Sequence, residues 1–510
     1  MSLRQNVIAN YGGQGWVAVM GLAFVPLYIH YLGMEAFGLI GLMTMLQSWL
    51  TLLDMGLTPT LNREMARFAA GMHTAQGIHD LLRSLEGLAL AIAGVLVVVM
   101  WCASDYLAKD WLHSSALPAH VTSQALAIIG VIVALRLCEG LYKGSLFGLQ
   151  RQVWFNVVNA ALATSRHGGS VLVLAFVSPT IQAFFWWQAF ISVLSLLVFK
   201  IHVHRVLPKP PSGIRFSLAP LRSVRAFAGG MFGIALLSIL LTQVDKVLLS
   251  RMLSLEEFGF YTLAATLAAG LYLVIVPTTQ AYYPRMVELV SREDEESLVA
   301  TYHQAAQLVA IMTTPTALML MFFGEKLILI WSNDASLAAR TAPLLMPLAL
   351  GTYLNGMMHV PYQLQLAHGW TAFTLKINVV AVSILVPAIL VAVPRYGALG
   401  AAWIWVVLNS GYVLMAIHFM HMRLLPKEKW AWYGKDVIAP ALGAGTVCGL
   451  LSLPALGGWA DGRLQSGIQL AAMFALATLT AMLCSGHLRS RLAMLPRLGL
   501  CFSRKKESVR

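Results

Sequence analysis

Apolar residues run along this chain in blocks of about twenty, separated by short polar segments, from one end to the other. A bilayer's hydrocarbon core is about 30 Å thick and takes roughly 20 helical residues to cross. On that measure the blocks predict about fourteen membrane-spanning helices. They fall at 8–31, 37–60, 85–105, 121–145, 154–177, 182–199, 226–250, 259–283, 303–323, 341–366, 371–393, 397–420, 437–459 and 466–486. Helices are expected rather than barrel strands, because the runs are continuously apolar instead of alternating. No connecting segment exceeds about 30 residues, too few for a soluble catalytic domain.

Composition agrees with the pattern. Hydrophobic residues make up 58% of the 510 positions and charged residues 11%, with a mean hydropathy of +0.72. Soluble proteins carry roughly 25% charged residues, so a soluble fold and a disordered chain are both excluded. The five cysteines show neither metal-type spacing nor a disulfide framework. Only Arg4 precedes the first apolar block and no small-residue cleavage site follows it, so that block reads as a retained span.

Charge then orients the spans. Lys109, Arg251, Lys326, Arg340, Arg395 and Arg463 fall on one side, and Arg136, Lys143, Arg166, Lys246 and Lys376 fall within spans. The other 24 of the 35 basic residues share the opposite side with both termini. Basic loops stay in the cytoplasm, so both termini are expected there. Trp111, Trp331, Trp430, Trp432 and Trp459 stand near span ends, where aromatic belts form. The net charge of +13 accordingly reads as topology set against anionic lipid, not as a nucleic-acid surface.

The chain also repeats. Leu32-Gly33-Met34-Glu35-Ala36-Phe37-Gly38 returns as Leu253-Ser254-Leu255-Glu256-Glu257-Phe258-Gly259, at an offset of 221. Phe155-Asn156-Val157-Val158 returns as Ile377-Asn378-Val379-Val380, at 222. Both matches fall at equivalent places in the span order, which points to duplication. Six spans per repeat is an even number, so the halves enter the membrane in the same sense, as parallel repeats. The expected organisation is a six-helix lobe over 1–206, a basic Pro-rich cytoplasmic linker over 207–225 and a second six-helix lobe over 226–436. A two-helix appendix follows over 437–486, then a basic tail over 487–510.

Depth decides which charges carry chemistry, because a charge at mid-bilayer costs about 2.5–3.5 kcal/mol on insertion scales. Arg166 stands at the middle of the fifth span and Arg136 near the middle of the fourth. Glu139 and Lys143 follow Arg136 on the same helix face. Arg136 either pairs with Glu139 or serves a ligand. Lys246 and Lys376, nearer span ends, either snorkel to headgroups or meet substrate. Asp54, beside Gly56, is either a helix-end contact or part of a gate. Asp245 cannot share a face with its neighbour Lys246. His202-Val203-His204 reads as a solvated loop rather than a metal site, and no Walker sequence is present.

Four stretches carry a family resemblance: Tyr31-Leu32-Gly33 with Phe37-Gly38, Leu53-Asp54-Met55-Gly56-Leu57, Gln243-Val244-Asp245-Lys246, and Tyr396-Gly397-Ala398-Leu399-Gly400-Ala401-Ala402. With the six-plus-six-plus-two layout, they resemble the Wzx-type polysaccharide flippases of the multidrug/oligosaccharidyl-lipid/polysaccharide exporter superfamily. The resemblance implies an all-α polytopic protein of the bacterial inner membrane. It would move an undecaprenyl-pyrophosphate-linked oligosaccharide from the cytoplasmic to the periplasmic leaflet by alternating access. A cationic cavity between rocking halves would hold the pyrophosphate, with Arg136, Arg166, Lys143, Lys246 and Lys376 as its binding residues. Asp54, Glu139, Asp245 and His359 would be coupling or gating groups. No cofactor, metal or nucleic acid is implied. Lipid-linked oligosaccharide and phospholipid are the expected partners, with a polysaccharide polymerase and a chain-length regulator beside them.

Two other classes compete. A cation-coupled drug antiporter of the same superfamily would want acidic residues, not arginines, at the cavity centre. A membrane glycosyltransferase or polymerase would want a long external loop with catalytic carboxylates, and the first such loop offers only Glu35. The orientation is directly testable. Reporter fusions at Lys209 and after Arg504 should report cytoplasm, and one at Asp334 should report periplasm. A periplasmic C-terminus would overturn the fourteen-span layout and the parallel repeat with it.

Overall fold

The computed structural model describes residues 3–54, 56–69, 71–210, 236, 239, 243–453 and 462–486. Most of the expected linker, the start of the seventh span, Trp459, Cys501 and the basic tail lie outside the described residues. The described chain is helical and contains no strand; its one β-bridge joins His113 and Ser254. It divides into two compact units, Met1–Gly259 and Phe260–Arg510. Eight of its helices are long and apolar enough to cross a membrane.

The first unit holds α1 (Leu3–Ala23), α2 (Val25–Leu32), α3 (Met34–Ser48), α4 (Leu50–Leu53), α5 (Leu57–Ala69), α6 (Ala75–Tyr106), α7 (Ala119–Gly148), α8 (Gln152–Phe176), α9 (Ile181–Val206) and α10 (243–252). The stretch expected as one span over 37–60 is broken twice, at Trp49 and at Asp54. Gly56 explains the second break, because its φ of +76° lies in the left-handed region that only glycine adopts cheaply. Asp54 then caps α5. Its carboxylate accepts the Thr58 amide at 2.9 Å and the Thr58 hydroxyl at 2.6 Å, satisfying a donor that the helix start leaves free.

Lipid tails are as apolar as leucine, so helices associate in a bilayer by close packing rather than by escape from water. The glycines of α7 serve that end. A Cβ at Gly140 would meet the Thr58 hydroxyl at 2.9 Å, one at Gly144 the Thr58 carbonyl at 2.6 Å, and one at Gly148 the Met65 Cβ at 2.7 Å. This stripe lets α5 lie directly on α7, and Leu57, Leu61, Met65, Leu137, Leu141 and Leu146 fill the core around it.

A second close approach joins the two copies of the repeated segment. A Cβ at Gly38 would strike the Leu255 carbonyl, and one at Gly259 would meet the Met34 carbonyl at 2.8 Å. Positions 34 and 38 shifted by 221 are 255 and 259, so the contact is reciprocal. Nearby, the Leu255 amide donates to the His113 carbonyl at 2.8 Å and the Trp111 indole to Ser250 at 3.2 Å. The Arg251 guanidinium lies over the Trp111 ring at 5.1 Å.

The second unit holds α11 (Leu255–Ala269, starting in the first), α12 (Tyr272–Ser291), α13 (Glu295–Ser332), α14 (Ala335–Ala367), α15 (Thr371–Gly411), α16 (Ile417–Leu424), α17 (Lys429–Ala431), α18 (Ala439–Ser452) and α19 (Arg463–Cys484). Residues Phe373–Leu424 form an apolar stretch of 52 residues, about 78 Å if straight and far beyond one bilayer. Gly397, at φ +57°, breaks it where the twelfth span is expected to open. Side chains of α18 and α19, among them Ala444, Cys448, Met473 and Ala477, pack with Met319 and Phe323 of α13.

Glu35, expected in the first external loop, stands instead in the first turn of α3 and is fully engaged. Its carboxylate accepts the Ser114 and Ser115 hydroxyls at 2.9 and 2.7 Å and the amides of Ser115, Ala116 and Leu117 at 2.8–3.0 Å. Burial raises the carboxyl, but the bonds from Ser115, Ser114 and Ala116 outweigh it and hold the group down at about 2, against an ordinary 4.5. A depressed acid stabilises fully above its unfolded value and loses that stabilisation as pH falls through the folded one. The clasp should therefore hold above pH 4.5 and release as pH falls toward 2. Glu35→Ala should cost about 1–3 kcal/mol, read as faster amide exchange over 114–117. Unchanged exchange would mean that the loop is held elsewhere.

Candidate functional site

Three helices of the first unit bring together the charges that the sequence sets at mid-span. Arg136, Glu139 and Lys143 share a face of α7, Arg166 stands on α8, and α9 contributes Gln188 and Ser195. Glu139 is 1% exposed; its Oε1 lies 2.9 Å from Lys143 Nζ and accepts the Ser195 hydroxyl at 2.6 Å. The alternative pair of Arg136 with Glu139, which the spacing also allows, does not form. Arg136 instead donates to the Gln188 side-chain oxygen at 3.5 Å. Gln188 in turn donates to Ser170 at 3.2 Å, and the Ser170 hydroxyl donates to the Arg166 carbonyl at 2.7 Å.

Both arginines keep unused donors. Arg136 Nε and Arg166 Nε are buried and have no acceptor among the described residues, and Arg166 makes no hydrogen bond or ion pair with any of them. Two cations that act on one another, with Glu139 Oε1 held by Lys143 and Ser195, suit an anion of several oxygens, which a guanidinium binds through paired hydrogen bonds. Aromatic groups frame the site. Tyr28 of α2 donates to the His167 carbonyl at 3.1 Å and stands edge-on to Phe184. Trp187 donates to the Ser165 carbonyl at 3.1 Å.

The other expected site residues are dispersed. Asp54 is occupied as the cap of α5. Asp245 and Lys246 lie partly buried on α10, where Lys246 reaches Gln243 at 3.4 Å. Lys376 is exposed near the start of α15, and His359 sits on α14; both belong to the second unit. Sequence reasoning missed Gln188 and Ser195, because an amide and a hydroxyl in an apolar run give no signal without their helix neighbours.

The second unit has a different polar character. Tyr272 donates to the Asn355 side-chain oxygen at 2.7 Å, and Asn355 donates to that of Asn409 at 2.8 Å. The His359 ring stands 5.7 Å from the Tyr272 ring. Toward the other end of α13, His303 is hydrogen-bonded to Asp436 and lies 2.9 Å from Glu428, with Gln307 donating to Asp436 at 2.8 Å. That cluster ties α13 to the π-helical turn Trp432–Ile438, and it too was invisible as scattered residues.

Comparison with known proteins agrees with this architecture. The sequence profile of the family described as polysaccharide biosynthesis protein matches residues 3–290. A Shigella flexneri protein named as a candidate O-antigen transporter is 21% identical over 407 residues, 79% of this chain and 94% of that one. The lipopolysaccharide biosynthesis protein WzxC of Escherichia coli K12 is 22% identical, covering 78% of each chain. Among solved structures, the lipid II flippase MurJ in an inward closed conformation superposes with a TM-score of 0.69. It is 13% identical and covers 94% of this chain and 98% of its own. An inward-facing multidrug MATE transporter gives 0.59 at 15% identity, with 86% and 97% covered.

The pairing at Glu139 is open to test. Lys143→Ala strands a buried carboxylate and should lower stability in detergent by about 1–3 kcal/mol, a figure tempered by the exposure of Lys143. Adding Glu139→Gln should restore most of it, since the amide oxygen still accepts Ser195. Arg136→Ala should change melting little. Equal losses for Arg136→Ala and Lys143→Ala would place the counter-ion on Arg136 instead.

Proposed function

The chain belongs to the polysaccharide biosynthesis protein family, and on that premise we propose that it is a flippase for a lipid-linked oligosaccharide. It carries an undecaprenyl-pyrophosphate-linked glycan from the cytoplasmic to the periplasmic leaflet for O-antigen, capsule or exopolysaccharide assembly. The observation that carries this reading is the Arg166 guanidinium, near Arg136 and with a buried Nε donor that no described residue accepts. Pyrophosphate oxygens match a guanidinium in charge and geometry. Lys143, half committed to Glu139, adds positive charge toward the cytoplasmic end. Lys376 and Lys246 are the proposed entry and exit contacts.

The proposed layout is six plus six plus two spans in the bacterial inner membrane, with both termini cytoplasmic. The reciprocal contact of Gly38 with Leu255 and of Gly259 with Met34 supports the duplication, because equivalent positions of the two copies of the segment meet one another. The kink at Asp54–Gly56 gives α5 a hinge for alternating access. Membrane potential favours the outward direction. One charge crossing 100 mV is worth about 2.3 kcal/mol, so a diphosphate with two charges gains about 4–5 kcal/mol. Names of transporters among the relatives favour this reading over a glycosyltransferase. The antiporter reading loses support because Asp54 caps α5 and Glu139 Oε1 is held by Lys143 and Ser195.

Cells lacking the protein should accumulate lipid-linked oligosaccharide on the cytoplasmic leaflet. Arg166→Ala should cut surface glycan about ten- to a hundredfold at normal protein abundance, the worth of one charge-assisted contact. Arg166→Lys should restore part of it, keeping the charge but not the fork. Normal export by Arg166→Ala at wild-type abundance would remove Arg166 from the substrate path.

A further inference from the structure

The polar groups in the middle of the second unit differ in kind from those of the first. Tyr272, Asn355 and Asn409 stand near the middle of the expected spans 259–283, 341–366 and 397–420, and no Asp, Glu, Lys or Arg lies within four residues of any of them. Glycine notches bring their helices together. A Cβ at Gly351 would collide with the Trp405 indole, and one at Gly356 would meet Ile275 Cδ1 at 2.5 Å. With α12 and α15 thus drawn against α14, the Tyr272 hydroxyl reaches Asn355 and Asn355 reaches Asn409.

These groups are not sealed into a core. Tyr272, Asn355 and His359 are partly exposed. His359, one turn beyond Asn355 on the same face of α14, makes no hydrogen bond to any described residue, and its ring nitrogens are not among the buried orphaned atoms. A polar ring at membrane depth is costly against lipid, so such side chains face a bundle interior or a water-filled path. A partly exposed amide, a phenol and an imidazole on one side, without formal charge, suit one class of ligand, and the buried Asn409 holds the amide in place. Sugar hydroxyls both donate and accept, as amide groups do side by side, and pyranose C–H faces lie against aromatic rings.

We propose that Tyr272, Asn355 and His359, with Asn409 positioning Asn355, form a saccharide-recognition subsite for the glycan of the transported lipid. This rests on the flippase reading and names the part of the substrate that the second unit recognises, the sugar rather than the pyrophosphate. His359 then serves recognition rather than ion coupling.

Equilibrium binding to the full-length protein in lipid nanodiscs tests it. Three probes are compared: bare undecaprenyl pyrophosphate, the lipid-linked oligosaccharide extracted from cells lacking the protein, and the free oligosaccharide. The wild type should bind the glycan-bearing lipid about tenfold tighter than the bare lipid, the worth of one or two hydrogen bonds. Tyr272→Phe, Asn355→Ala and His359→Phe should bring that ratio toward one and leave affinity for the bare lipid unchanged. Arg166→Ala should weaken both lipids in parallel and leave the ratio intact. Free oligosaccharide should compete against the glycan-bearing lipid and not against the bare one. Equal wild-type affinities, or a ratio that survives all three substitutions, would overturn the subsite. Parallel loss of both lipids in those variants would also overturn it, assigning the residues to structure. If Arg166→Ala weakens neither lipid while the ratio still collapses in the variants, the pyrophosphate assignment falls and the subsite stands.

Discussion

Hydrocarbon offers no hydrogen bonds, and nearly everything in this protein follows from that. Backbone groups must be satisfied within helices, so the described chain is helical throughout. Polar side chains at depth must find each other, a ligand or water. Glu139 finds Lys143 and Ser195, Asn355 finds Tyr272 and Asn409, and Asp54 finds the amide it caps. Arg166 Nε finds no acceptor among the described residues.

The same solvent removes the usual drive for helices to associate, and glycine takes over that work. The α7 stripe, the Gly351 and Gly356 notches and the reciprocal Gly38 and Gly259 contacts each let one backbone approach another. Each close approach then sets a polar geometry. The α7 stripe seats the Asp54–Thr58 kink, and the α14 notches bring Tyr272 and Asn409 to Asn355. Packing and chemistry are therefore coupled, and enlarging one of these glycines would displace a hydrogen-bonded group as well as a helix.

The two units divide polar character between them. The first concentrates cations around α7 and α8, whereas the second presents amides and rings on α12, α14 and α15. A lipid-linked glycan has the same division, a dianionic linker and a polyhydroxyl head.

Much of this was legible in the sequence. The all-helical, membrane-type fold was readable from runs of bilayer length. The mid-span depth of Arg136 and Arg166 and the duplication at offsets of 221 and 222 stand as expectations from the same pattern. Local spacing could not choose the partner of Glu139, because Arg136 at three residues and Lys143 at four both lie on its face. Ser195, arriving from α9 beside Lys143, shows which side of the helix the carboxylate takes. Glu35 looked like an idle loop acid until a segment some eighty residues away folded over it. His303, Asp436 and Glu428 gave no signal as separate residues. Spans and depths depend on the solvent, which acts on each residue in turn, whereas partners depend on which helices meet, and only tertiary packing decides that.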